Sequence, residues 1–274
     1  FAFQANIYCV ILSKILNFRV IIRSNSSPSG WSKSLIKNIL FNFFYKRADK
    51  IIVNSNNFKK EFDQKFNVKS KMIYNPLNLK EIKKKSKIKD KINFFKNTKL
   101  KIINIARFTD QKDHLTLLKA FKNISKKIDS KLIIMGYGPN ENLIKNFIND
   151  NNLQNKVKVL NFKKNPYSLL AKSDLLILSS IYEGLPNVLL EAMALKKFVI
   201  SSNCPTGPKE ILNNGKYGYL FRIKDENHLQ KKIIEYFYNK NSKSIVNKAY
   251  KSLTRFDEKK CNNEYYNVVS KYFS

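Results

Sequence analysis

The sequence predicts an α/β chain built from two doubly wound, parallel-sheet domains. Three observations predict it. Short β-rich runs alternate with helical stretches almost throughout, the signature of parallel strands joined by helical crossovers. A lysine-rich segment at 80–101 interrupts the alternation, which then restarts. The chain has 274 residues with 43% hydrophobic content, enough for one large domain or two modest ones.

Each element follows from local pattern. RVIIR (19–23) reads as a buried strand, and SNSSPSG (24–30) as a loop. Leu35, Ile36, Ile39, Leu40, Phe43 and Phe44 recur at helical spacing. That stripe reads first as core and second as a surface lying on a bilayer. KIIVNS (50–55) is a second strand, NNFKKEFDQKF a second helix, and KMIYNPLN (71–78) a third strand, ended by Pro76. Residues 80–101 carry ten Lys against Glu81 and Asp90. Such runs are usually solvated, and this one reads as an interdomain linker with some helix. Strands then follow at 101–106, 131–136, 156–162, 174–179 and 197–202, with helices near 113–128, 140–152, 166–173, 186–195 and 208–213. The tail, 226–274, reads as helical throughout.

Composition narrows the function. No apolar run reaches the roughly 18 residues that span a bilayer. Cys9, Cys204 and Cys261 lie far apart without paired spacing, which argues against a disulfide framework or a zinc site and fits a reducing compartment. The net charge of +32 points either to a polyanionic partner or to a genome whose codons favour Lys, Asn and Ile. Phe94 and Phe95 are the only aromatics of the lysine-rich run, too little stacking surface for a single-strand binder, so no nucleic-acid partner is expected.

In open parallel sheets ligands bind beyond the carboxyl ends of the strands. After strand 101–106 come Arg107 and Lys112, two cations suited to a diphosphate, although surface basicity alone would place cations there too. His114 and His228 are too far apart, and too poorly accompanied, to suggest a metal, and His114 reads as a packing residue at a helix start. GYGPNEN after strand 131–136 is not a dinucleotide fingerprint, because Glu141 takes the last glycine position. After strand 174–179, SIYEGLPNVLLEAMAL enters a helix. Gly184 permits close approach, Pro186 suits the first helical turn, and the amides of Leu185, Asn187 and Val188 would face outward at a helix N-terminus. Glu191 sits inside the apolar segment and must have partners, since a buried unpaired carboxylate costs several kcal/mol. A structural hydrogen-bond network and a grip on vicinal hydroxyls, as on a ribose, both stay open.

These residues carry a resemblance. Glu183 and Glu191 within EGLPNVLLEAMA resemble the E-x7-E motif of glycosyltransferase family 4. IARFTDQKDHLTLLKAF (105–121) resembles the segment bearing that family's Arg and Lys, and SNCPTGPKEIL (202–212) is similar to a version found in members that transfer hexoses or N-acetylhexosamines onto lipid-linked or surface glycans. RSNSSPSGWS and KIIVNSNNFKKEF match more loosely. The resemblance implies a GT-B fold of two Rossmann-like domains, a retaining mechanism, and no cofactor or metal beyond a nucleotide diphosphate sugar, UDP-linked by expectation. It implies that Arg107 and Lys112 neutralise the diphosphate and that Glu183 contacts the donor sugar. Glu191 would hold the ribose, the backbone of Gly184, Leu185, Pro186 and Asn187 would cradle donor oxygens, and Phe162 and Lys163 would flank the base.

The implied division is a partial acceptor-side domain over 1–79, a linker over 80–99, a donor-binding domain over 100–225, and C-terminal helices over 226–274 whose last member packs back on the first domain. The chain opens at FAFQANIYCVILSKIL, a helix well inside that first domain. The expectation is therefore an incomplete N-terminal domain, an open sheet edge, poor activity and a tendency to aggregate. The expected acceptor is a polyprenyl-linked or other glycan in bacterial polysaccharide synthesis. The expected location is cytoplasmic, with peripheral contact on an anionic inner membrane face. The alternative is a sugar-nucleotide-binding protein of the same fold without turnover.

Overall fold

The computed structural model describes residues 2–25, 28 and 35–272. The SNSSPSG and RSNSSPSGWS readings therefore fall largely outside the described residues. Helix α1 (Ala2–Ile15), strand β1 (Ile21–Ser24), α2 (Leu35–Tyr45), β2 (Lys50–Val53), α3 (Asn56–Phe66) and β3 (Lys71–Met72) form the first lobe. Its three strands run parallel in the order β1-β2-β3. Helix α3 shows why the lobe holds: Phe58, Phe62 and Phe66 recur every four residues, all fully buried, with successive ring centroids 5.6 and 4.9 Å apart. Burying each such ring contributes roughly 1.5–3 kcal/mol. Ser55 caps the helix at Phe58 N, and Asn67 ends it in the left-handed conformation.

Of the apolar stripe on α2, Phe44 packs half-buried against this core but the other five residues do not face it. Phe41 and Tyr45 point inward, whereas Leu35, Ile36, Ile39, Leu40 and Phe43 are exposed. The core reading of the stripe is corrected accordingly. Helical spacing shows which residues share a face, not whether anything covers it. Helix α1 packs beside α2 and exposes Tyr8, Leu12 and Ile15, with Leu16 exposed in the turn just beyond it.

The segment read as a solvated linker is docked. Helix α4 (Leu79–Ser86), capped by Asn78, buries Ile82, and Phe95 joins the same core. Most of the lysines of this run are exposed, while Asp90 is tucked against Lys163 and two apolar anchors hold the segment down.

The second lobe comprises β4 (Leu100–Ile105), α5 (His114–Ile124), β5 (Ser130–Gly136), α6 (Glu141–Asp150), β6 (Val157–Asn161), α7 (Tyr167–Lys172), β7 (Leu175–Leu178), α8 (Asn187–Ala194), β8 (Phe198–Ser202), α9 (Pro208–Ile211) and β9 (Tyr219–Phe221). The three-residue β9 extends the sheet by a strand the sequence pattern does not reveal. The six strands are parallel, in the order β6-β5-β4-β7-β8-β9. Alternate residues serve opposite faces, as strand periodicity requires: Ile103, Ile133, Met135, Leu176 and Leu178 line one core, and Ile102, Leu132, Ile134, Leu175 and Ile177 the other. Helices cover both sides, which explains strands that are apolar throughout.

The tail contains α10 (Glu226–Tyr238), α11 (Ser242–Lys251), a 3-10 segment (Ser252–Phe256) and α12 (Glu258–Val269). Helix α10 packs on α5. At Phe256 the chain reaches the first lobe: its carbonyl accepts from Leu77 N at 2.9 Å, and its ring lies 4.7 Å from that of Tyr74. Val268 of α12 then joins Ile52 and Ile73. Among the described residues no helix is long and apolar enough to cross a membrane.

Candidate active site

The strand order reverses direction between β4 and β7, and ligands of open parallel sheets bind beyond the carboxyl ends of the strands at such a switch point. Arg107 and Lys112 come from the loop after β4, Glu183 and Gly184 from the loop after β7. Asn104, fully buried near the end of β4, donates to Ile177 O at 2.8 Å and ties the two strands together beyond their short ladder.

Four further bonds stitch the loops. Ile181 N donates to Gln111 O at 2.8 Å, Gln111 Nε2 to Tyr182 O at 2.8 Å, and Ser179 Oγ to Lys112 O at 2.8 Å. The fourth is the charge pair: Lys112 Nζ lies 2.5 Å from Glu183 Oε1, with side-chain exposures of 15% and 9%. Ser180 Oγ donates to the same oxygen at 2.6 Å. Arg107 is exposed, and its charge acts on Tyr182, whose phenol is raised by burial, an effect partly offset by that guanidinium. Behind the pair, burial and the Glu183 charge push the Cys204 thiol up to about 12, leaving it inert as a nucleophile.

Local backbone explains how Lys112 reaches inward. Residues Asp110–Lys112 form a 3-10 turn, and Asp113 takes a left-handed conformation at φ 43° that caps α5 through Thr116. His114 opens α5, buried and edge-on to Phe108 at 5.3 Å.

Glu191 lies on α8 and makes a different contact. Tyr167 Oη donates to its Oε1 at 3.2 Å, and burial raises its carboxyl above the usual range, offset in part by that bond. Tyr167, from the start of α7, is a site residue that sequence reasoning missed. It stands 24 positions away from Glu191, and no local spacing links them. Ser180 was missed as well, although Ser three residues ahead of Glu is a local signal.

The loop before α8 departs from expectation in two ways. Pro186 is the N-cap rather than the first helical residue, and no side chain caps the helix. Gly184 admits another lobe's backbone: a Cβ there would lie 2.0 Å from Asn25 O. Leu185 and Asn187 are gripped from the first lobe, where Asn75 Nδ2 donates to Asn187 Oδ1 at 2.7 Å and to Leu185 O at 3.4 Å.

Of the residues expected beside a base, Phe162 is exposed with its ring edge-on to Tyr137, 6.0 Å between centroids. Lys163 instead donates to Asp90 at 2.7 Å and pins the segment ahead of β4. The structure thus joins Lys112 to Glu183, leaves Arg107 exposed on the same loop as Lys112, and places Glu191 with Tyr167 further along α8.

Comparison with known proteins agrees with this architecture. An uncharacterised glycosyltransferase of Methanocaldococcus jannaschii is 36% identical over 218 residues, covering 74% of this chain and 53% of the relative. A Campylobacter jejuni protein, N-acetylgalactosamine-N,N'-diacetylbacillosaminyl-diphospho-undecaprenol 4-alpha-N-acetylgalactosaminyltransferase, is 29% identical over 257 residues, covering 88% of this chain and 67% of the relative. The chain thus spans about half to two thirds of the length of these relatives. Anabaena HepE in complex with UDP-glucose superposes with a TM-score of 0.87 at 21% identity, covering 98% of this chain and 76% of HepE. That likeness establishes the GT-B fold. A family profile described as glycosyl transferases group 1 matches residues 85–252, most of the chain, and the chain belongs to that family.

Proposed function

We propose that the protein transfers a hexose or N-acetylhexosamine from a UDP-sugar to a lipid-linked glycan, with retention of anomeric configuration. The observation that carries the reading is the Lys112–Glu183 pair at the switch point of the six-stranded sheet, with the exposed Arg107 leaving the end of β4. Cleaving a sugar–phosphate bond moves negative charge onto the departing diphosphate. Cations already fixed by the surrounding fold stabilise that charge without reorganising. Lys112 is held by its loop and by Glu183, so an arriving diphosphate meets an ammonium already oriented. Glu183 then faces the sugar, and Glu191, one oxygen held by Tyr167, offers the other to ribose hydroxyls. Phe162 and Tyr137 supply aromatic surface for the base.

The donor and acceptor classes draw support from the relatives: HepE has been seen with UDP-glucose, and the Campylobacter protein is named for a diphospho-undecaprenol acceptor. The exposed apolar face of α1 and α2, with Lys14, Arg19, Lys46 and Arg47 exposed around it, supports docking on an anionic bilayer that carries such an acceptor. The test is a thermal-shift screen of nucleotide sugars, followed by NMR of the product formed with the donor that binds. The reading expects stabilisation by a UDP-sugar and a retained anomeric centre. An inverted product, or indifference to every nucleotide sugar, overturns it.

A further inference from the structure

The loop after β8, NCPTGPKE, does two jobs that the reading above leaves unassigned. On one side it holds the active-site loop: Thr206 Oγ1 donates to Glu183 O at 2.5 Å. Gly207, at φ +84°, sits so close that a Cβ would meet Gly184 O at 2.3 Å. On the other side it crosses to the first lobe through Glu210. Oε2 accepts from Asn57 N at 3.0 Å. Oε1 accepts from Asn56 N at 3.1 Å, from Asn56 Nδ2 at 3.0 Å and from Tyr74 Oη at 2.6 Å.

Asn56 and Asn57 are the first two residues of α3, so their amides are among the four that a helix leaves free at its start. Ser55 of the same lobe takes the third, from Phe58. One helix N-terminus is thus capped jointly from two lobes, and the helix dipole favours the incoming carboxylate. The rear of α9 is fixed as well, since Arg255 donates to Glu210 O at 3.3 Å and to Ile211 O at 3.1 Å.

Resting on the transferase reading above, we infer that Glu210 is a positioning residue, a latch whose capture of the α3 N-terminus couples approach of the two lobes to the setting of Glu183. It touches neither donor nor acceptor in this account and acts through Thr206 and Gly207.

The test uses the full-length protein and the variants Glu210→Gln and Tyr74→Phe, with UDP as the probe. Amide hydrogen exchange is followed at residues 56 and 57 with and without UDP, and kcat and KM are measured for the donor. In the wild type UDP should deepen protection at these amides. Both variants should lose that gain, and Glu210→Gln should lower kcat by about tenfold while donor KM moves by less than about threefold, the pattern of an interaction realised after binding. The double variant should be no worse than Glu210→Gln alone, because both changes remove one linkage. Unchanged exchange at 56 and 57, or a raised donor KM with kcat intact, overturns the latch. If no UDP-sugar is turned over by the wild type, the transferase reading fails, and the exchange measurement alone decides whether Glu210 joins the lobes.

Discussion

Lys112 Nζ and Glu183 Oε1 meet at 2.5 Å, although each comes from a different crossover of the same sheet. Their meeting closes the loops after β4 and β7 into one wall, and it leaves a cation and a carboxylate both largely out of water. Removing one partner strands the other, which costs more than the pair contributes. Lys112→Met should therefore lower stability by about 3 kcal/mol and abolish stabilisation by UDP. Thermal melts with and without UDP check this, and a variant that melts like the wild type and still responds to UDP contradicts it.

Glu191 should behave in the opposite sense. Burial raises its carboxyl. A carboxyl raised on folding favours the fold below its unfolded pKa, and that contribution is lost as pH climbs through the raised folded value. At neutral pH its ionised form is a cost to the ligand-free protein. Glu191→Gln should raise the ligand-free Tm by roughly 2–4 °C at pH 7, with the gain vanishing in acid, while the response to UDP is lost. Equal Tm values at pH 7, or an undiminished UDP response, count against the ribose role.

His114 sets an acid limit. Burial, and then the Lys112 charge, hold its imidazole down at about 4 from 6.5. A depressed histidine is neutral in the fold, so its contribution is complete above 6.5 and drains away as pH falls toward 4. The loss amounts to at most about 3 kcal/mol. Denaturant unfolding across pH 4–7 should show this slope, and His114→Phe should flatten it. An identical slope in the variant places the acid sensitivity elsewhere.

The exposed face of α2 predicts lipid dependence. Arg47 lies over the Phe43 ring at 3.4 Å, a cation beside the apolar stripe. Ile36→Glu with Ile39→Glu should reduce co-sedimentation with anionic vesicles by about tenfold, leaving UDP binding intact. Sedimentation that ignores these changes, lipid charge and salt assigns the face to something other than a bilayer.

The site was partly legible before any coordinates because its chemistry is local. Arg107 and Lys112 follow one strand end, Glu183 follows another, and each loop could be found from strand periodicity alone. That the two loops adjoin could not be read from periodicity, since it depends on the strand order that sets β4 beside β7. Tyr167 escaped for the same reason. The lysine-rich segment misled through composition: ten Lys hide the two anchors, Ile82 and Phe95, that dock it. The α2 stripe misled in the reverse direction, because periodicity reports a shared face and not a covered one. Glu210 reads as an ordinary acidic residue in a short helix until α3 is placed opposite.

The most direct measurement is titration calorimetry of UDP against the wild type, Arg107→Ala and Lys112→Met. If the switch-point cations hold a diphosphate, each variant should weaken binding by at least about tenfold, or about 1.4 kcal/mol. UDP binding of equal strength in all three proteins would contradict the assignment.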